Sequence, residues 1–352
     1  MNDNRININS LLEEFVSSNL SPTKSEREDV TKKYDELSSM LKGRNFISGS
    51  YGRFTSITPL HDVDVIWELP EETVTDNIRK SISLKVSPDE LDVSNILESL
   101  AKRLREEYEK QGVEVNVVSE THSVTIEFSN SPHEFTIDVV PAVPIIERNE
   151  FGLPLYIVPE IIKDSHQVRK SKYSNKNPIK WIKTDPEGYI KEATKANDEN
   201  QSFRKSVKFL KGWRRKSKTV DDNFKLKSFH IEQYVLHYLQ ENSQKNSWEV
   251  ISTFFDQVKQ IISEPQIPDR ADNSKFIDSY VSELTKGEIE LILTNSNIAT
   301  SIIEKIEQAQ SEPQVIKYLE DISIVEEVRK DNVYPITKDH APTKPWHSGD
   351  FR

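Results

Sequence analysis

The chain has 352 residues, 30% charged and 35% hydrophobic, with no cysteine and a formal net charge of −11. That length holds about two domains at the usual ~150 residues each, and the composition is that of a folded, polar-surfaced protein. Disulfides, thiolate zinc sites and cysteine nucleophiles are excluded. No apolar run approaches the ~18 residues of a membrane span. The opening MNDNRININS lacks the basic start and apolar stretch of a secretory signal, so a cytoplasmic location is expected.

Taken in chain order, Ile8–Asn19 has the spacing of a short amphipathic helix. A longer helix is expected from Ser21-Pro22, a cap followed by a proline, to a stop near Gly43. Asn45–Ser48 reads as a strand. Asp62–Leu69 alternates acidic and polar residues with Val63, Val65 and Trp67, the period of a half-buried strand. Ser94–Gln111 reads as a helix closed by Gly112. Strands are expected at Val113–Ser119, Ser123–Phe128 and Glu134–Val140, the last ended by Pro141. Residues 155–200 read as irregular. Helices are expected over 200–218, 228–242, 246–263, 274–293, 296–310 and 313–330, followed by a proline-rich tail, Asp331–Arg352. The expected architecture is an α/β lobe with a mixed sheet (residues 1–155), a helical lobe (156–330) and the tail (331–352). A site in the cleft between the lobes would follow the usual preference of ligands for such interfaces.

Two uneven features sharpen this layout. Three of only nine glycines, Gly43, Gly49 and Gly52, fall within ten residues. Residues 161–227 hold 19 Lys/Arg against 8 Asp/Glu, so this window is +11 and the rest of the chain −22. An acidic protein with one basic segment is poorly suited to coating DNA or anionic membranes, but it can draw a compact polyanion to one place. The same excess could equally be a solvated helical face.

The chemistry centres on acidic residues. Asp62 and Asp64 sit at i and i+2 on a strand and so share a face, roughly 6–7 Å apart at ~3.3 Å rise per residue. Adjacent carboxylates repel unless a cation lies between them, and an oxygen-only donor set suits Mg²⁺ or Mn²⁺ rather than zinc. Asp138 lies in the otherwise apolar Phe135–Val140, where a carboxylate needs a partner. A neighbouring strand would bring it beside the other two and complete a site for two metal ions. Gly49-Ser50 ends the first strand, and such a turn can cradle phosphate oxygens with backbone N–H groups and a hydroxyl. Downstream, Arg204, Lys208, Lys211 and Arg215 form a basic stripe beside an apolar one made by Phe203, Val207 and Leu210.

Gly49-Ser50-Tyr51-Gly52-Arg53-Phe54-Thr55 and Pro59-Leu60-His61-Asp62-Val63-Asp64-Val65 resemble the signature of the polymerase-β-like nucleotidyltransferases. Among these the chain is most similar to the bacterial cGAS/DncV-like enzymes, relatives of oligoadenylate synthase. The resemblance implies a polymerase-β-like mixed sheet, two Mg²⁺ ions for which Mn²⁺ can substitute, and NTP substrates, with ATP the expected one. It also implies a cyclic di- or trinucleotide product, read by a downstream effector in anti-phage (CBASS) defence. Asp62, Asp64 and Asp138 match the family's catalytic, metal-binding aspartates. Gly49 and Ser50 match its nucleotide-binding turn. By alignment of spacing Lys211 and Ser228 would hold the donor triphosphate and Phe229 would stack on a base, with Lys208 the alternative if the register shifts by one turn. Phe229 could as well be a core residue, and His230 reads as structural. The absence of cysteine rules out the usual zinc ribbon for gripping DNA, and the overall acidity argues against a long nucleic-acid partner. RNA-tailing or CCA-adding chemistry, and a catalytically silent nucleotide sensor, stand as the alternatives.

Overall fold

The computed structural model describes residues 6–69, 94–129, 131–161 and 179–325. The tail expected at 331–352 lies outside these residues, whereas the helix expected at 313–330 already ends at Ser323, where Ile324 turns extended.

The first helix, α1 (Ile8–Phe15), is extended by a π-helical turn, Val16–Leu20. Helix α2 (Lys24–Met40) starts two residues later than the Ser21-Pro22 signal suggests. Thr23 and Glu26 form a capping box there, satisfying two otherwise orphaned N–H groups reciprocally. The sheet follows: β1 (Asn45–Ile47), β2 (Asp62–Glu68), β3 (Val115–Ser119), β4 (Val124–Phe128), β5 (Thr136–Arg148), β6 (Pro154–Ile161) and β7 (Ile179–Thr184), with α3 (Ser94–Lys110) between β2 and β3. Its strand order is β1-β2-β5-β4-β3, and β6 and β7 continue from the far end of β5. The β2–β5 pair is parallel and its neighbours are antiparallel, so the sheet is mixed.

Two expectations are corrected here. Pro141 does not end its strand: β5 runs on to Arg148. Pairing with β4 stops at Val139 and pairing with β6 starts at Val143, so on that edge Pro141 falls between two ladders, while on the other edge it stays in register with Trp67 of β2. Nor are the described residues of 155–200 irregular. They contribute β6, β7 and α4 (Pro186–Glu199), which Asp185 caps by accepting from the Gly188 N–H at 2.9 Å.

The helices α5 (Ser202–Val220), α6 (Ser228–Glu241), α7 (Ser247–Ile261), α8 (Lys286–Glu307) and α9 (Glu312–Ser323) complete the described chain. The two helices expected over 274–293 and 296–310 are instead a hairpin (Pro268–Phe276), a 3₁₀ turn (Ser279–Glu283) and the continuous α8. Phe203, Val207 and Leu210 bury against α6 and α7, and Leu12 and Phe15 of α1 join that helical core. A second core lies between the sheet, α2 and α3, built on Val63, Val65, Ile137, Val139 and Leu104. Among the described residues no helix is long and apolar enough to cross a membrane.

Candidate active site

Chain direction reverses after β1 in a single helical turn, Gly49–Gly52, that places Ser50 at the mouth of a cleft. Gly49 has φ +59°, and a Cβ there would lie 1.7 Å from Asp64 Oδ2. The Asp64 carboxylate therefore packs directly on the Gly49 backbone, and a larger residue would have to displace it. Gly52 answers a different need, since its Cβ would meet the Ile47 carbonyl oxygen at 2.7 Å. The turn is held down by the Ser48 N–H donating to the Asp64 carbonyl (2.7 Å) and by the Thr55 and Ser56 N–H groups donating to the Ser50 carbonyl (2.9 and 3.1 Å).

The three aspartates meet as their strand positions require. Asp64 is the register partner of Asp138 across the parallel β2–β5 pair, and Asp62 lies two residues before Asp64 on the same face. Thr125, opposite Asp138 on β4, donates its hydroxyl to Asp138 Oδ1 at 2.6 Å. Burial, then the charges of Asp62 and Asp138, push Asp64 up to about 6. Burial also raises Asp138, against the lowering effect of the Thr125 hydrogen bond. Among the described residues no group of three His, Asp or Glu side chains is placed to hold a metal ion together. The set instead fits a hard cation that takes one or two carboxylates and fills its shell with water and substrate oxygens.

This arrangement makes stability pH-dependent. The folded chain holds a proton on Asp64 that the unfolded chain has already lost at the ordinary carboxylate value. Stability therefore falls as pH rises from about 4 through about 6, by on the order of 2 kcal/mol, and the cost is fully present above that window. A divalent cation competes with the same proton. Thermal melts are expected to show Mg²⁺ stabilising the chain at pH 7.5 and much less at pH 5. Equal stabilisation at both values would contradict the placement of the cation on Asp64.

Opposite the acids stands a cationic wall. The cleft, about 620 Å³, is lined by Gly49, Ser50, Asp62 and Asp64 on one side and by Lys211, Arg214, Arg215, Ser228 and Phe229 on the other. Asp138 stands beside Asp64 in the sheet but is not among the lining residues. The basic stripe on α5 is therefore not a solvated face. Arg204 donates to the Arg53 carbonyl (3.2 Å) and lies over the Phe54 ring, while Lys208 Nζ turns away to Ser21 Oγ at 3.1 Å. Arg215 donates to the carbonyls of Ile57, Thr58 and Pro59, clamping the loop that leads into Asp62. Arg215→Ala is expected to destabilise the chain by about 2–3 kcal/mol, the value of charge-assisted bonds to one group. It should also speed hydrogen exchange at residues 57–60, and unchanged exchange there would refute the clamp.

Lys211 and Phe229 line the cleft in company that local spacing does not show. Lys211 Nζ contacts Glu232 Oε2 at 2.8 Å and Thr55 Oγ1 at 3.1 Å. The Phe229 ring has Arg53 over one face at 4.9 Å and Tyr189 edge-on at 5.0 Å. His230 is buried between Tyr280 (2.9 Å) and Asp278 (3.6 Å), where burial pushes it down to about 4, as befits a structural histidine. Arg53, Thr55, Arg214, Arg215 and Glu232 were not singled out from the sequence as site residues. Arg53 and Thr55 stand inside the motif read there, so their position was a usable signal. For Glu232 the only signal was an acid at an interior helical position.

Residues 6–154 match the Second Messenger Oligonucleotide or Dinucleotide Synthetase (SMODS) domain. This match spans less than half of the chain and characterises its N-terminal part. No curated protein matches the chain. Among solved structures, its fold is similar to that of E. coli MS115-1 CdnC with ATP, at 18% identity and a TM-score of 0.63, over 89% of this chain and 96% of that one. CdnC in complex with HORMA-deltaN gives 17% identity and a TM-score of 0.61 over the same shares. Vibrio cholerae DncV, a cyclic AMP-GMP synthase with a bound linear intermediate, gives 15% and 0.54 over 90% of this chain and 80% of that one. At such identities the likeness is one of fold, a mixed sheet followed by a helical C-terminal region.

Proposed function

We propose that this protein condenses NTPs, ATP among them, into a cyclic di- or trinucleotide signal that a downstream effector reads in cytoplasmic anti-phage defence. The observation that carries this reading is one cleft with paired carboxylates on its sheet side and a cationic wall on its helical side. That pairing suits transfer at an α phosphate, where catalysis is mostly positioning and charge neutralisation. A long RNA acceptor would require an extended basic groove, whereas Arg53, Lys211, Arg214, Arg215 and Lys218 line one compact cleft.

Asp62 and Asp64 would hold two Mg²⁺ ions, and Asp138 would share the ion nearest the acceptor hydroxyl. When bound, those ions lower the pKa of the attacking hydroxyl and offset charge on the leaving pyrophosphate. Ser50, Lys211 and Ser228 would grip the donor phosphates, with Gly49 supplying close backbone approach. Phe229, which lines the cleft, would present its ring to a base. Purified protein incubated with Mg²⁺ and radiolabelled NTPs, then treated with phosphatase, tests the reading. A phosphatase-resistant small product is expected. Extension of added RNA would make the protein a tailing enzyme, and no turnover would make it a sensor.

A further inference from the structure

Glu232 is fully buried, one turn into α6 behind the cleft wall. Its two oxygens are divided between groups that line or support the cleft. Oε1 accepts from Arg53 Nε at 2.5 Å, while Oε2 accepts from Lys211 Nζ and from the Thr55 hydroxyl, both at 2.8 Å. Arg53 and Lys211 line the cleft and Glu232 does not. A buried ion pair is a weak device for stability alone, because desolvation cancels most of the attraction. The placement of this acid therefore needs another reason.

The neighbouring lysine on α5 supplies it. Lys208 bonds Ser21 Oγ and has no carboxylate in ion-pair range among the described residues. Burial, with Lys205, Arg204, Arg27 and Lys211 around it, pulls it down to about 7. Lys211 lies one turn further along the same dry wall. Burial pushes it down as well, and Arg53 on the Gly49–Gly52 side adds to the push. Arg214, Arg215 and Lys208 on its own helix are likewise cationic. Glu232 from α6 opposes this at contact distance, and Asp62 from β2 opposes it from further away.

We propose that Glu232 is the positioning residue that keeps Lys211 an ammonium and aims it, together with Arg53, at the phosphates of a bound nucleotide. The role presupposes Lys211 as a triphosphate ligand. Glu232 itself stays behind the wall and touches no substrate.

The test is the dissociation constant of Mg·ATP, measured by equilibrium dialysis from pH 6.5 to 8.5. In the unaltered protein it should change less than about twofold. Glu232→Gln keeps the shape and removes the charge, so its binding is expected to be near normal at pH 6.5 and at least about fivefold weaker at pH 8.5. Glu232→Asp should restore a flat profile, and Lys211→Met should weaken binding at every pH without added slope. A Glu232→Gln profile parallel to the unaltered one would overturn the role of Glu232. Unchanged binding in Lys211→Met would instead overturn Lys211 as a phosphate ligand. If Glu232→Gln does not fold, ¹³Cε spectra of lysine-labelled unaltered protein decide the matter, with Lys211 assigned by its loss in Lys211→Met. The Lys211 signal should keep its ammonium shift through pH 8, where Lys208 has already titrated. A Lys211 midpoint below pH 8 would refute the proposal.

Discussion

Asp64→Asn should abolish product formation, by on the order of 10³-fold or more, while the melting midpoint at pH 7.5 in EDTA rises rather than falls. The two effects have one cause. Asp64 is buried beside Asp62 and Asp138, and its charge is costly enough to push it up to about 6. Asparagine has the same volume, sits on Gly49 in the same way and avoids that cost, yet it cannot neutralise a cation. Asp62→Asn is expected to lose activity without the gain in stability, because Asp62 is exposed. Radiolabelled turnover and calorimetric melts on both variants check this. Full activity in either would remove that aspartate from the metal site, and a large drop in the Asp64→Asn melting midpoint would show that its charge is compensated in a way the geometry does not display.

Gly49→Ala should be the most damaging change that leaves every charged group in place. The new methyl would lie 1.7 Å from Asp64 Oδ2, and φ +59° adds about 1–2 kcal/mol of strain for a residue with a Cβ. The easiest relief is to swing the Asp64 carboxylate aside, so activity should fall by about 10²-fold while the fold survives. Gly52→Ala collides instead with the Ile47 backbone carbonyl, which has no such escape. It should lower the melting midpoint more than it lowers the activity of the protein that remains folded. The opposite ranking of the two variants would mean that the turn does not support Asp64.

Much of the site was readable from local spacing. Asp62 and Asp64 share a face because strand side chains alternate, and the apolar setting of Asp138 demanded a partner, which the Thr125 hydroxyl on β4 provides. The apolar stripe of α5 was equally plain, since Phe203, Val207 and Leu210 recur at helical spacing and are all buried. Residues 179–184 were less legible: Ile-Lys-Trp-Ile-Lys-Thr is short and rich in lysine, and it becomes a strand by pairing with β6. A break was expected between 293 and 296, yet α8 runs through it. Ser296 turns inward and donates to the Phe255 carbonyl at 3.2 Å, a partner 41 residues away.

What spacing could not supply was the company each charge keeps. Arg53 meets Glu232 across 179 positions of sequence, and Lys211 meets Thr55 across 156. Composition, charge and short-range periodicity determined that acids on a sheet would face a basic helix, because strand and helix repeats are local properties of the backbone. Which cations stay protonated, which clamp a loop, and which glycine makes room for a carboxylate were settled only when distant segments packed together and excluded water.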